Sequence, residues 1–530
     1  MQVNKPTQPV LTQFTIPPAT GSVGQKVWQI TSSPQFQNVL YQCAPGDILE
    51  IPAGSRLVAP VGGFILPAKS NPQGLWITIR SSLAITLSLD KRVSPGNQLQ
   101  MASLIGQDSG PVLLTAQSQS NNVAFYYFAG LNITVLSTSM PDAKDPHTQF
   151  NSGLIRLGDL SETSLSHMPH DFIFDRCIIA GQPNLNTIRG IALNCSRVAI
   201  VNCYLPDFHA IGNDAQAIWG SNGLGMYLIQ NNYLEGSGEN IMFGGTDPKI
   251  QGLIPSDIII RGNTIAKPLT WKQNDPSYLG YHWGIKNLLE LKNAQRVLIE
   301  NNEFSGSWAD AQTGIGISFK SNNQDGTAPW CQTSDVEFRN NKITGVGLGV
   351  SILGTDFNQK TDNLTSRIWI HDNDFADINS RWTGNTQAAS GNAMQVLSAV
   401  DLLVENNSFD NNGNALVLDS ADPNSTVKTE RFAFRNNVVN FGPYGIKGSG
   451  AASGNDSIAK FIDDADFTGN NFIGDVSLIK QYPVNNSILA SRPVRKPSLP
   501  TADLTIKGTV QFDPLTGKLS FTSAPIITLE

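Results

Sequence analysis

One phrase returns along this chain in a single register, and it constrains the fold more than any other feature. It is a short strand of alternating apolar and polar residues, then usually an Asn pair, then an apolar residue. Examples are Val-Ala-Ile-Val-Asn-Cys from Val198, Tyr-Leu-Ile-Gln-Asn-Asn from Tyr227, Val-Leu-Ile-Glu-Asn-Asn from Val297 and Leu-Leu-Val-Glu-Asn-Asn from Leu402. The last residue of each phrase marks the register: Cys177, Cys203, Asn232, Asn263, Asn302, Asn341, Asn373, Asn407, Asn437, and finally Asn471 or its neighbour Asn470. From Cys177 to Asn437 the steps are 26, 29, 31, 39, 39, 32, 34 and 30 residues. A period of this length indicates a solenoid. Its variation indicates loops of different length on a constant coil.

The alternation turns one face of each strand inward. A single coil cannot bury that face; stacked coils can. Asn at the mark is expected to take the left-handed backbone of a sharp corner and to stack into a hydrogen-bonded ladder. A second alternating strand follows each corner, as at Gly190-Ile191-Ala192-Leu193 and Asn240-Ile241-Met242-Phe243. The expected fold is therefore all-β, a right-handed parallel β-helix. An Asn- and Gly-rich sandwich of hairpins would not return one phrase in one register. Where Cys177 and Cys203 replace Asn, two stacked buried thiols are expected ahead of a disulfide between coils.

With 40% apolar residues the chain can bury a large core. Only 15% of residues are charged and the formal net charge is −7, which argues against nucleic acid as a partner. Any anion site must then be a local basic patch. No apolar run is long enough to span a membrane. No signal peptide is read at the start. An extracellular or periplasmic protein would have lost one; a cytoplasmic location stays open. The five cysteines form no CxxC pair, so neither a zinc site nor a disulfide scaffold is expected.

Three segments are expected: a lead over residues 1–32, the solenoid over 33–480, and a tail with a hairpin over 481–530. Ser33-Pro34-Gln35-Phe36-Gln37-Asn38-Val39-Leu40 reads as an amphipathic helix capping the open first coil. Trp76 to Arg80 continues the stack. Residues 85–125 and 137–151 lack clear repeat character and are expected to include long loops. Val510-Gln511-Phe512 and Lys518-Leu519-Ser520-Phe521 read as a terminal hairpin.

The cap, the corner Asn residues and the coil length resemble the pectate-lyase-like superfamily. Several stretches resemble more closely uncharacterised bacterial right-handed β-helix repeat proteins. They include Trp76-Ile77-Thr78-Ile79-Arg80-Ser81, Arg189-Gly190-Ile191-Ala192-Leu193-Asn194, Glu239-Asn240-Ile241-Met242-Phe243-Gly244-Gly245, Glu290-Leu291-Lys292-Asn293 and Trp308-Ala309-Asp310-Ala311-Gln312. The resemblance spans roughly residues 35–475 and speaks for fold, which does not fix function. It implies a polysaccharide lyase or glycoside hydrolase, or a tailspike or adhesin. The Asp pair and Gly-His-Gly of polygalacturonases are absent, as is the Trp-Ile-Asp-His of pectate lyases. Alginate and chondroitin lyases of this type place a Lys shortly after a Glu, beside a bound calcium. Glu290-Leu291-Lys292 echoes that pattern with a different spacing.

The second strands place Phe243, Leu291, Phe319 and Ile352 in one inward column. Glu290 then shares an outward column with Met242, Ser318 and Ser351, and Lys292 one with Lys320. Two stacked lysines repel unless an anion or a carboxylate lies between them, and such proximity lowers a lysine pKa. β-Elimination from a uronate needs a cation on the carboxylate, a base for the C5 proton and an acid for the leaving oxygen. Lys292 and Lys320 are the candidate base and clamp, with Glu290 beside them. Glu239 and Glu290 are candidate ligands for Ca2+. Lys286, His282, Trp283, Trp308, Asp310 and Gln312, on long insertions, are candidate substrate contacts. Alternatively these aromatics pack the loops onto the helix, and the charges are a solvated face. Asp214, Asp310 and Asp356 are candidates for a hydrolytic pair. His209, His282 and His371 stand isolated in sequence.

The reading carried forward is a lyase acting as a monomer on an acidic polysaccharide. A hydrolase on the same fold, or a non-catalytic glycan-binding or structural solenoid, stays open.

Overall fold

The computed structural model describes residues 2–10, 25–116, 122–138, 142–144, 150–383, 390–422, 424, 427–493, 510–513 and 518–521. Three long sheets run along the molecule, of 14, 14 and 12 strands, and every pairing within them is parallel. Each coil contributes one strand to sheet A, one to sheet B and one to sheet C, then returns to sheet A one rung on. His170–Asp175, Ile178–Ala180 and Arg189–Leu193 make one such turn, and Ser196–Val201 begins the next. Parallel strands joined in this way wind right-handed. The chain is a right-handed parallel β-helix, as its repeat implies.

The inward residues of all three sheets form one core from Ile30 to Ile488. Aromatic side chains stack from coil to coil, as Phe128 on Phe174 at 4.8 Å and Phe375 on Phe409 at 4.6 Å. This spacing is that of adjacent strands.

The corner between sheets A and B corrects one detail of the sequence reading. The left-handed residue is the one before the mark: Asn231 (φ 53°), Asn301 (φ 56°), Asn340 (φ 53°) and Asn406 (φ 59°). The mark itself turns inward and builds the ladder. Asn263 donates both its backbone N–H and its Nδ2 to Asn302 Oδ1, each at 2.9 Å, and Asn302 does the same to Asn341. The ladder runs through Asn373, Asn407, Asn437 and Asn470, so Asn470 and not Asn471 is its member, and it ends one rung further on at Asn486. Each amide satisfies a backbone N–H that the sharp corner would otherwise bury unpaired. At the other end, Cys203 N–H donates to Asn232 Oδ1 at 2.8 Å and Cys177 N–H to Cys203 Sγ at 3.3 Å. All five cysteines are buried free thiols.

Residues 85–125 are not a loop throughout. Ala102–Gly106, Leu113–Thr115 and Ala124–Ala129 are regular strands of sheets B, C and A. Their phrase lacks the Asn pair, which is why the repeat is invisible there. Near the start, Ser33–Gln42 is helical, with Ser32 accepting from the Gln35 N–H. Its Phe36, Val39 and Leu40 are buried. Gln37 bonds both the N–H and the C=O of Ile65 on the terminal strand of sheet C. Val510–Asp513 pairs antiparallel with Lys518–Phe521. No helix among the described residues is long and apolar enough to cross a membrane.

Candidate active site on sheet C

Three adjacent strands of sheet C, Ile241–Phe243, Leu289–Leu291 and Ile315–Lys320, carry the site. Their register sets Met242 beside Glu290 and Glu290 beside Ser318, with Phe243, Leu291 and Phe319 inward. Lys292 and Lys320 follow the paired Leu291 and Phe319, so both lysines flank one carboxylate. Lys320 Nζ lies 3.3 Å from Glu290 Oε1 and Lys292 Nζ 3.7 Å from Glu290 Oε2. The carboxylate between stacked lysines is thus Glu290 itself.

Its burial differs from expectation. Glu290 is 1% exposed rather than on an open face, because the two lysines lie over it. Burial opposes its ionisation, but Lys320 and Lys292 outweigh that and hold it below the ordinary carboxylate range. Glu239 is the complement. It is fully buried, and burial with the charges of Glu290 and Asp214 pushes it up to about 7. Gln216 Nε2 donates to its Oε2 at 2.5 Å. Glu239 Oε1 and Glu290 Oε2 are buried without a hydrogen-bonding partner. Two neighbouring carboxyls in a dry site are driven to opposite sides of the ordinary range, because ionising one disfavours ionising the other.

Lysines surround the pair. Lys286 Nζ lies 2.5 Å from Asp214 Oδ1; burial opposes its charge, but Glu239 and Asp214 raise its pKa. Lys267, which sequence reasoning missed, is buried behind Glu239. Its Nζ donates to the carbonyls of Gly236, Ser237 and Gly238 and, at 3.0 Å, to Asn240 Oδ1. It thereby fixes the turn that presents Glu239. Burial brings Lys267 down to about 7, opposed by Glu239. Its register neighbours in the next two coils are Gly306 and Gly345, so a Lys where those coils have Gly was the available signal.

The other predicted residues divide. Lys286 joins the site. His282 Nε2 meets Asp310 Oδ2 at 2.6 Å, and Gln312 N–H donates to the Ile285 carbonyl, which ties the two insertions together. Trp283 and Trp308 are buried with Trp271 and Ile285 in a cluster of their own, so their rings hold the loops down and offer no face to a sugar. His209 belongs to that packing, stacked on Trp283 at 3.8 Å. Asp356 accepts from the Asn358 N–H in its own turn. Both oxygens of Glu290 face ammonium groups, and Glu239, pushed up to about 7, accepts from Gln216. This donor set does not fit Ca2+, which wants several free anionic or carbonyl oxygens.

No family model matches the chain, and comparison with curated proteins finds no match. Among solved structures, the Dettilon tailspike protein matches at 13% identity over 86% of this chain, with a TM-score of 0.36. This chain spans 64% of that tailspike's length. A mannuronic acid specific polysaccharide family 6 lyase from human gut microbiota matches at 12% identity over 87% of this chain and 91% of its own, with a TM-score of 0.43. PfbA, a surface adhesin of Streptococcus pneumoniae, matches at 14% identity over 88% and 92%, with a TM-score of 0.43. These likenesses accompany the architecture; the strand pairing defines it.

Proposed function

We propose that this β-helix is a carbohydrate-active protein that cleaves an acidic, uronate-containing polysaccharide by β-elimination at the sheet C site. The observation that supports it is the convergence of Lys286, Lys292 and Lys320 on two buried carboxyls, one of which holds a proton near neutrality. With Glu239 protonated, the three ammonium groups face only Glu290 and Asp214 as anions. A chain of net charge −7 therefore carries a local cationic spot that suits a carboxylate.

In this reading one of Lys292 and Lys320 holds the uronate carboxylate as an ammonium, while the other first passes a proton to Glu290 and, as the neutral amine, removes the C5 proton. The C4–O bond breaks with its electron pair on the leaving oxygen, a C4=C5 double bond forms, and the proton held by the carboxyl pair passes to that oxygen, which leaves Glu290 ionised and the lysine an ammonium again. The lysines supply the charge assigned above to calcium, so no metal is required. Of the carboxylates read as a hydrolytic pair, Asp214 is held by Lys286, Asp310 by His282, and Asp356 accepts from a backbone N–H of its own turn, so the site lysines favour elimination over hydrolysis in this reading. The near-complete burial of Glu290 favours a second reading, in which the site binds glycan without cleaving it.

The same proposal takes one solenoid domain closed at its start by the helix, acting as a monomer outside the cytoplasm; its sheets run from Val27–Gln29 to Ser487–Leu489, beyond the 33–480 read from the sequence at both ends. The test is an ultraviolet scan of the protein with a panel of polyuronates, with and without chelator. Rising absorbance from the new double bond, lost in Lys292→Ala and Lys320→Ala, is expected. Binding without absorbance or new reducing ends would replace the lyase by the binding-only reading.

A further inference from the structure

The first residues of the chain lie against coils formed hundreds of residues later. The Asn4 N–H donates to Asp401 Oδ1, the Thr7 N–H to Asp335 Oδ1 at 2.9 Å, and the Val10 N–H to Asp257 Oδ1 at 3.0 Å. These three carboxylates belong to one column on the outer face of sheet A, at the left-handed bulge that opens each strand. The column alternates Asp257, Arg296, Asp335, Arg367, Asp401 and Arg431. Each Asp is gripped through both oxygens by the Arg of the next coil, as Asp335 by Arg367 at 2.8 and 2.7 Å. The same fork holds Asp257 to Arg296 and Asp401 to Arg431. The carboxylates are thereby aimed and kept ionised, with lone pairs left for a third donor.

The spacing is a match of periods. Successive Asp rungs are two coils apart, about 9.6 Å at the usual strand separation. The segment covers that distance in three residues, about 3.2 Å each, which is the rise of a polyproline-II helix with its three residues per turn. Its sequence carries the same period. Val3, Pro6 and Pro9 are the less exposed residues, while Asn4, Thr7 and Val10 present their N–H groups. Proline just before two of the donors stiffens the segment and leaves no unpaired N–H there. Between rungs, Lys5 Nζ sits 3.6 Å from the centre of the Trp369 ring, which also stacks on His371, and Gln8 bonds Glu337.

We propose that the outer face of sheet A from Asp257 to Asp401 is a docking track for a polyproline-II peptide, and that residues 2–10 of the same chain are its resident ligand. The track reads one N–H in every three residues, with Trp369 as the seat for a cation between rungs. Docking couples coils that otherwise contact only their neighbours. It is independent of the sheet C site and of the reaction proposed there.

The test uses the full chain. Thr7→Pro deletes one donor N–H without touching the ladder, and Thr7→Ala keeps it. Backbone exchange at Asn4 and Val10 is expected to be slow in the wild type and in Thr7→Ala, and about tenfold or more faster in Thr7→Pro, the scale of one hydrogen bond to a charged acceptor. A fluorescent peptide with the sequence of residues 2–10 is expected to bind the Thr7→Pro protein and to lose that binding when Trp369→Ala is added. Free-peptide exchange rates in the wild type, equal effects of Pro and Ala, or no binding of the peptide to Thr7→Pro would each overturn the proposal. So would a concentration-dependent dimer in which the protected segment comes from a second copy.

Discussion

Glu239 and Glu290 stand on neighbouring coils of sheet C, and both carboxyls are buried, each with one oxygen that has no hydrogen-bonding partner. The two residues have the same chemistry and opposite shifts. Glu290 is held ionised by Lys320 and Lys292, while Glu239 is pushed up to about 7 by burial and by Glu290 itself. Pairs of carboxyls driven apart in this way are what proton-transfer sites are made from.

Removing either flanking lysine is expected to abolish elimination. Lys292→Ala and Lys320→Ala should each lower the rate by about a hundredfold or more, the scale of a lost acid–base group. Initial rates of absorbance growth on the responding polyuronate measure this, and circular dichroism shows whether each variant keeps its fold.

Chelation separates the two sources of positive charge. Because both Glu290 oxygens face ammonium groups, activity is expected to survive dialysis against a strong chelator. Loss of activity, restored by Ca2+, would return the carboxylates to the metal-binding role first read from the sequence.

The pair should also leave a mark on stability against pH. The Glu239 carboxyl sits at about 7 when folded against 4.5 for a free carboxyl. Its contribution is therefore full below pH 4.5 and declines as pH rises to about 7. Lys267, at about 7 when folded against 10.5 free, acts in the opposite sense, costing stability below 7 and releasing that cost as pH rises from 7 to 10.5. The difference in Tm between wild type and Glu239→Gln is expected to fall between pH 4.5 and 7. That between wild type and Lys267→Met is expected to rise above pH 7.

The Asn ladder predicts a contrast between adjacent residues. Asn302→Ala strands the Asn263 N–H and its own ladder partners in the core, and should cost about 2–4 kcal/mol in urea unfolding. Asn301 only supplies the left-handed corner, at φ 56°. Asn301→Gly should change stability by less than about 0.5 kcal/mol, while Asn301→Ala should cost about 1 kcal/mol.

The five buried thiols should be silent toward a water-soluble thiol reagent in the native protein. All five are expected to react after unfolding without reductant. Fewer would indicate a bridge between Cys177 and Cys203.

The sequence by itself determined the coil. Period, register and inward column are local facts repeated many times, so Phe243, Leu291, Phe319 and Ile352 could be aligned from the text alone, and Glu290 with Lys292 and Lys320 beside it. Where the phrase loses its Asn pair, between residues 85 and 125, the same strands form without a readable signal. Only the tertiary structure decided the state of each charge. Whether Glu290 is open or covered, which of two neighbouring carboxyls is pushed up, and that Lys267 is buried against the turn before Glu239 depend on contacts between coils whose loops differ in length. The fate of Trp283 and Trp308 was decided in the same way, since two insertions each bury the other's rings. Burial and pairing across coils set ionisation, and neither is a property of any one repeat.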